Sequence, residues 1–171
     1  MENPDRILVG CQDTDSGKQA AKKLIELYQY WVPQEKIITT RLYSAELSKL
    51  ASNALLAQRI SSINSLSIIC EQIGADIEEV SQVVGSDNRI GKQYLNASVG
   101  FGGSCLKKDL LGLIYLCESL KLNEVADYWR SVVTMNEYQK QRFSQKIVQS
   151  MFDNVKGKNI AILGNYIGCY S

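Results

Sequence analysis

Residues 44–73 read SAELSKLASNALLAQRISSINSLSIICEQI, with no proline or glycine before Gly74. Leu47, Leu50, Ala51, Ala54, Leu55, Ile60, Ile63, Leu66, Ile69 and Ile73 recur at helical spacing, so the stretch predicts one long helix. Ser44 is placed to cap it, with Glu46 in the acid-favouring first turn. Such a rod is about 43 Å long, spans a whole domain and needs several neighbours to cover it. Its apolar positions cover more of its circumference than one layer of helices would hide, which leaves surface for a partner.

Before the rod the pattern is α/β. Arg6-Ile7-Leu8-Val9-Gly10-Cys11 suits a buried strand, Ser16–Trp31 a helix stopped by Pro33, and Lys36-Ile37-Ile38-Thr39-Thr40 a second strand. One β-α-β passage is too little to close a sheet. After the rod, Asp76 and Glu79 suggest a capping box for a shorter helix closed by Gly85. An irregular stretch from Ser86 to Gly103 follows, then helices over Ser104–Leu120 and Asn123–Phe152, the second with a break allowed. Lys156-Gly157-Lys158 is a turn, and Asn159–Gly164 reads as a buried parallel strand. The expectation is a mainly α chain: a helical block over residues 43–156 around a long central helix. Truncated Rossmann-type α/β pieces flank it at residues 1–42 and 157–171, as in a fragment of a larger protein.

Bulk composition narrows the chemistry. Nineteen basic and eighteen acidic residues leave a net charge of +1, so nothing draws the chain broadly to nucleic acid or an anionic membrane. There is no signal-peptide pattern and no apolar run near 20 residues, which makes the cytoplasm the default address. Five cysteines without framework spacing and no histidine argue against disulfides, a metal centre and any imidazole base. Chemistry here falls to Cys, Lys, Asp, Glu, Tyr or backbone groups.

The segment Val99-Gly100-Phe101-Gly102-Gly103-Ser104-Cys105-Leu106-Lys107-Lys108-Asp109 stands out. With Ser104 as N-cap, Cys105 enters the first turn of a helix, where unpaired N–H groups and the macrodipole favour a thiolate. Lys107 and Lys108 add positive charge, the glycines admit a ligand close to the backbone, and Phe101 is suited to act as a lid. The same pattern also describes a glycine-rich connector before a helix, with Cys105 a small buried residue. Lys49 and Asn53, four apart on the rod, share a face that is otherwise apolar. A buried lysine there is a candidate acid or base, and an exposed lysine and amide are the plainer alternative. Arg89 has the geometry to hold a phosphate or carboxylate with two parallel bonds, or is simply a surface arginine.

ELSKLASNALLAQRISSINS from Glu46 and NASVGFGGSCLKKDL from Asn96 resemble the central-domain motifs of the UDP-glucose 6-dehydrogenase family. The likeness runs from about Asn3 to about Gly164 and is near the level of the animal enzymes. It implies NAD-dependent, two-step oxidation of UDP-glucose to UDP-glucuronate by a homodimer or larger homo-oligomer. It also implies three parts: an NAD-binding domain, a helical dimerisation domain and a UDP-binding domain. Carried over residue by residue, Cys105 matches the nucleophile that passes through a thiohemiacetal and a thioester. Lys49 matches the acid–base lysine, Asn53 its polar neighbour on the substrate, and Asp109 the aspartate that manages protons and the hydrolytic water. Arg89 matches a substrate-binding arginine that reaches a neighbouring subunit's site. Asn96, Ala97, Ser98, Val99, Gly100, Phe101 and Gly102 match the substrate cradle, and Cys105 to Lys108, Cys105 and Lys108 in particular, lie along bound NAD.

The chain departs from the family pattern in having no GxGxxG, and its tail Asn165-Tyr166-Ile167-Gly168-Cys169-Tyr170-Ser171 matches nothing in it. Two functions follow as expectations: the catalytic core of a UDP-glucose-oxidising enzyme, or a non-catalytic dimerisation module that mixes with a full-length dehydrogenase. In the first, Lys49, Asn53 and Asp109 share one space with Cys105, the most thiolate-like of the five cysteines.

Overall fold

The computed structural model describes residues 4–103, 105–152 and 154–161. Among them are two strands and five α-helices, so the chain is mainly α. They fall into two compact units, one up to Ala51 and one from Ser52 onward.

In the first unit, β1 (Ile7–Cys11) and β2 (Ile37–Arg41) pair in parallel, Ile7 opposite Ile37 and Cys11 opposite Arg41. The connection is α1 (Asp15–Tyr28), capped by Thr14, whose hydroxyl accepts the Gly17 N–H at 3.1 Å. The helix stops three residues earlier than expected. The Val32 N–H turns back to the Tyr28 carbonyl at 2.9 Å, which buries Val32 ahead of Pro33. Val9, Ala21, Val32 and Ile37 form this unit's core, with Ile7, Cys11, Ile25 and Tyr28 packed on it.

The rod is α2 (Leu42–Ile73), 32 residues and so about 48 Å long. It starts directly after β2, so Ser44 is not its cap: that residue lies inside the first turn, its carbonyl accepting the Ser48 hydroxyl at 2.6 Å. It ends where expected, at Gly74 with φ +73°, and the Ala75 N–H caps the Cys70 carbonyl at 3.0 Å.

In the second unit α3 (Ile77–Ser86) is capped by Asp76, which accepts from the Glu78 N–H at 2.7 Å. Gly85 does not close this helix. It is buried within it, and a Cβ there would stand 3.1 Å from the Lys92 Cα, so the glycine serves close approach of the segment that follows. Beyond the irregular stretch, α4 (Leu106–Ser119) and an unbroken α5 (Asn123–Ser150) pair. Ala54 and Ala57 of α2 have no exposure, and these short side chains sit in one core with Phe101, Leu110, Leu113, Ile114, Cys117, Ala126 and Val132. Lys156 and Gly157 make the expected turn. Residues 159–161 are not a strand, and the rest of that expected strand, like the tail, lies outside the described residues. No helix among the described residues is long and apolar enough to cross a membrane.

Gly10 tests the packing of the first unit, because a Cβ there would lie 2.6 Å from the Ala45 Cβ, an atom with no rotamer to escape into. Gly10→Ala is expected to cost about 1–3 kcal/mol. Hydrogen exchange at the β1 amides will read this as a loss of protection.

Candidate functional site

The site is built where α2, α4 and α5 meet the loop before α4. Asn53, half-buried on α2, donates its Nδ2 to Asp109 Oδ2 at 2.5 Å, and the Asp109 side chain is buried on the first turn of α4. Lys108 Nζ approaches the other carboxylate oxygen at 3.6 Å from solvent. The Asp109 N–H bonds the Cys105 carbonyl at 3.0 Å, so Cys105 stands one turn above the carboxylate. Asn53, Lys108, Asp109 and Cys105 are thus brought together.

Cys105 is exposed and is itself the N-cap residue, one place before the position expected for it. Ser104, the expected cap, lies outside the described residues. The thiol does not serve as the cap's hydrogen-bond acceptor, and the reading of Cys105 as a buried small residue is excluded. Lys107 bonds Glu137 Oε1 of α5 at 3.0 Å, and Lys140 bonds the same oxygen at 3.2 Å. The Lys107 bond first, and the Lys140 bond after it, hold the Glu137 carboxyl below its usual range.

The loop from Asn96 to Gly102 is held by side-chain amides. Asn64 Oδ1 of α2 accepts the Ser98 N–H at 2.8 Å, and Gln139 Nε2 of α5 donates to the Ser98 carbonyl at 2.9 Å. Asn136 of α5 makes two bonds to Phe101, accepting its N–H at 2.7 Å and donating to its carbonyl at 3.0 Å. Gly100 has φ +116°, and a Cβ on it would sit 2.6 Å from Asn136 Oδ1, so both conformation and space demand glycine. Asn96, Ser98, Val99 and Gly102 remain exposed, with Ala97 half-buried beside them. Phe101 is not a lid: its ring is only 5% exposed and belongs to the core.

Two expected members stand differently. Lys49 lies one helical turn before Asn53 on α2 and is exposed, so the apolar surroundings expected for it are absent. Arg89 is exposed and forms a two-bond pair with Asp87, Nη2 to Oδ2 at 2.7 Å and Nε to Oδ1 at 3.0 Å. That pairing holds the Asp87 carboxyl below its usual range and raises the guanidinium. The turn carrying Arg89 is fastened by Arg59, whose guanidinium donates to the Ile90 and Gly91 carbonyls at 2.8 and 2.5 Å.

Sequence reading missed Arg59, Asn64, Asn136, Glu137 and Gln139. A trace of Asn64 was available: positions 53, 57, 60 and 64 share one face of α2, and an amide at each end of an apolar face marks something polar to be held. Asn136, Glu137 and Gln139 carry no comparable signal.

Among the described residues no three His, Cys, Asp or Glu side chains converge as metal ligands. The β1–α1 turn is a poor fit to a dinucleotide pyrophosphate. It has Asp13 and Asp15 at the helix start and Thr14 already spent on Gly17, while Gly10 serves packing against Ala45.

A profile of the UDP-glucose/GDP-mannose dehydrogenase family, central domain, matches residues 43–138. The chain belongs to this family. It is 60% identical over 162 residues to a UDP-glucose 6-dehydrogenase of Drosophila melanogaster, covering 95% of this chain and 34% of that protein. It is 59% identical over 164 residues to UDP-glucose 6-dehydrogenase 1 of Arabidopsis thaliana, covering 96% and 34%. A solved UDP-glucose dehydrogenase from the archaeon Pyrobaculum islandicum superposes with a TM-score of 0.79 at 34% identity, over 92% of this chain and 34% of that one. The chain therefore spans about a third of the length of the relatives it matches, and the residues that carried the resemblance lie within the profile's span.

Two outcomes follow from the site's geometry. Asn53→Ala strips the buried Asp109 carboxylate of its amide donor and is expected to destabilise the second unit by about 1–3 kcal/mol, measured by denaturant titration. The Glu137 carboxyl, held low in the folded chain, contributes stability that is present above its usual value of 4.5 and lost as pH falls through the folded value. The acid limb of a stability–pH profile should therefore flatten in Glu137→Gln, and an unchanged limb would contradict the pairing.

Proposed function

We propose that this chain carries the thiol and the sugar-holding loop of a UDP-glucose 6-dehydrogenase, which converts UDP-glucose to UDP-glucuronate in two oxidations. The observation that carries the reading is an exposed cysteine at a helix start, one turn from a buried carboxylate and preceded by an amide-clamped loop. The first oxidation removes a hydride from C6 and the proton of its hydroxyl to give the aldehyde, and the Cys105 thiolate then adds to that carbon. A C–S bond forms, the carbonyl pair moves to oxygen, and a proton completes the thiohemiacetal. Loss of hydride from C6 and of the hydroxyl proton leaves a thioester. Water then attacks the thioester carbon, releasing the carboxylate and returning the thiolate.

Asp109 is the proton acceptor for that water, its carboxylate oriented by Asn53. Lys49, exposed on the same helix, is the acid–base group for the sugar oxygen. Ser98, Val99 and Gly102, with Asn96, Ala97, Gly100 and Phe101, form the surface against which the sugar nucleotide lies. Arg89 is a further anion contact once a ligand phosphate competes with Asp87. NAD, when bound, would supply the hydride-accepting chemistry. Its pyrophosphate finds no cradle among the described residues, so this chain's share is the thiol, the carboxylate and the loop, and Cys105 and Lys108 are the residues that would lie along the cofactor.

A chimaera tests this. Replacing the matching third of the Drosophila melanogaster relative by this chain should keep NAD-linked UDP-glucose oxidation, followed as NADH absorbance. Cys105→Ser in that chimaera should lower turnover by at least about 10³-fold. A folded chimaera without activity, or a serine variant as active as its parent, would sink the reading.

One observation favours a second behaviour for the chain by itself. Leu55, Leu66, Ile69 and Ile73 share one face of α2 and are 54%, 38%, 53% and 72% exposed. This face suits a dimerisation module that forms homodimers or larger homo-oligomers, and mixes with a full-length dehydrogenase to lower its activity. Sedimentation at micromolar concentration should show at least a dimer. A clean 19.1 kDa monomer would remove this reading.

A further inference from the structure

Consecutive residues of α5 grip the chain on both sides of Cys105. Upstream, the Asn136 side chain is 1% exposed and spends Oδ1 and Nδ2 on the backbone N–H and carbonyl of the same residue, Phe101. This is the bonding a β-strand neighbour would offer, supplied by one side chain. The Phe101 ring is locked at the same time among Ala54 and Ala57 of α2 and Leu110 of α4. Downstream, Glu137 holds Lys107, two residues past the thiol, and is itself steadied by Lys140.

Just after Phe101, the backbone at Gly102 and Gly103 does little to define its own path. A Cβ on Gly102 or Gly103 would meet nothing within 4 Å, and Gly103 sits at φ +79°. A glycine pair in open space is the least self-determined backbone a chain can have. Phe101, four residues before the thiol, and the first turn of α4 after it are held points on either side of the thiol.

We infer that Asn136 and Glu137 are positioning residues for Cys105, a two-residue clamp on α5 that sets where the thiol stands relative to Asp109 and the loop. The inference rests on the reading of Cys105 as the reactive thiol, but its measurement does not need turnover. An apolar residue at position 136 would leave the buried Phe101 N–H and carbonyl without partners. Loss of the carboxylate at position 137 would release Lys107 from α5.

The test uses the full 171-residue chain and two readouts: the rate of iodoacetamide alkylation at Cys105, followed by peptide mapping, and amide exchange at Phe101 by NMR. Asn136→Ala and Glu137→Gln should each move the Cys105 rate at neutral pH by about threefold or more towards that of an unstructured cysteine peptide. Phe101 exchange should rise about fivefold or more in Asn136→Ala. Ser61→Ala removes a buried bond between α2 and α5 away from the loop, Ser61 Oγ to the Val132 carbonyl at 3.0 Å, and should leave the Cys105 rate unchanged.

Asn136→Asp supplies a signature that bulk destabilisation lacks. The ionised carboxylate accepts from the Phe101 N–H but repels its carbonyl, whereas the protonated form accepts and donates as the amide does. Phe101 protection in that variant should be lost at neutral pH and return as the solution is acidified. If Asn136→Ala does not fold, the Glu137→Gln substitution, at a half-buried position, still decides its half of the clamp, and Asn136→Asp at acid pH decides the other. A Cys105 rate identical in the folded variants and the parent, or a rate that Ser61→Ala shifts equally, overturns the proposal. An inactive chimaera would remove the enzymatic reading while leaving these outcomes intact.

Discussion

A carboxylate buried on the first turn of α4 is the constraint around which the second unit is arranged. Asp109 has almost no access to water, and an ionised group in that position is tolerable only while donors face it. Asn53 supplies the near donor, Lys108 a longer contact from solvent, and the N-terminus of α4 a favourable dipole. The Asn53 bond ties α2 to the first turn of α4, beside the close-packed Ala54 and Ala57. Cys105 inherits its place from the same turn through the bond between its carbonyl and the Asp109 amide.

The loop before α4 obeys a second form of the same rule. An irregular segment pressed against a helical layer has backbone groups that neither helix nor sheet can satisfy. Asn64, Gln139 and Asn136 meet Ser98 and Phe101, and Ser81 reaches the Leu95 carbonyl at 2.6 Å. The arrangement is nearly complete: Asn64 Nδ2 and Gln139 Oε1, a donor and an acceptor on two residues that both hold Ser98, are the amide atoms left over. Side-chain amides suit this task because each offers a donor and an acceptor at fixed separation, matching the two groups of a peptide unit. The outer side of the loop is thereby left open to a ligand.

Charge is managed similarly along the helix seams. Glu71 of α2 takes both Arg142 and Lys146 of α5, which hold its carboxyl below the usual range, Arg142 contributing most. Glu137 takes Lys107 and Lys140. Each carboxylate is partly exposed, so the pairs set orientation more than they add stability. What they orient is α5, the helix that also carries the two amides gripping the loop.

Most of the fold was legible in the sequence, because it rests on local rules. The uninterrupted apolar period from Ser44 to Ile73 and the glycine after it marked α2. The apolar run at Arg6–Cys11 and the β-branched run after Pro33 marked the strands, and Asp76 marked the start of α3. The misreadings were local as well: Ser44 as a cap, Gly85 as a stop and Phe101 as a lid each assigned to the nearest few residues a role settled by a distant neighbour. Family membership was also legible, since the motifs at Glu46 and Asn96 are contiguous. The partnership of Asn53 with Asp109 and the hold of α5 on the loop were decided by tertiary structure. A hydrogen bond between residues 56 or 35 positions apart leaves no periodicity in either segment; it exists only once packing has brought a buried polar group to a place where water cannot serve it.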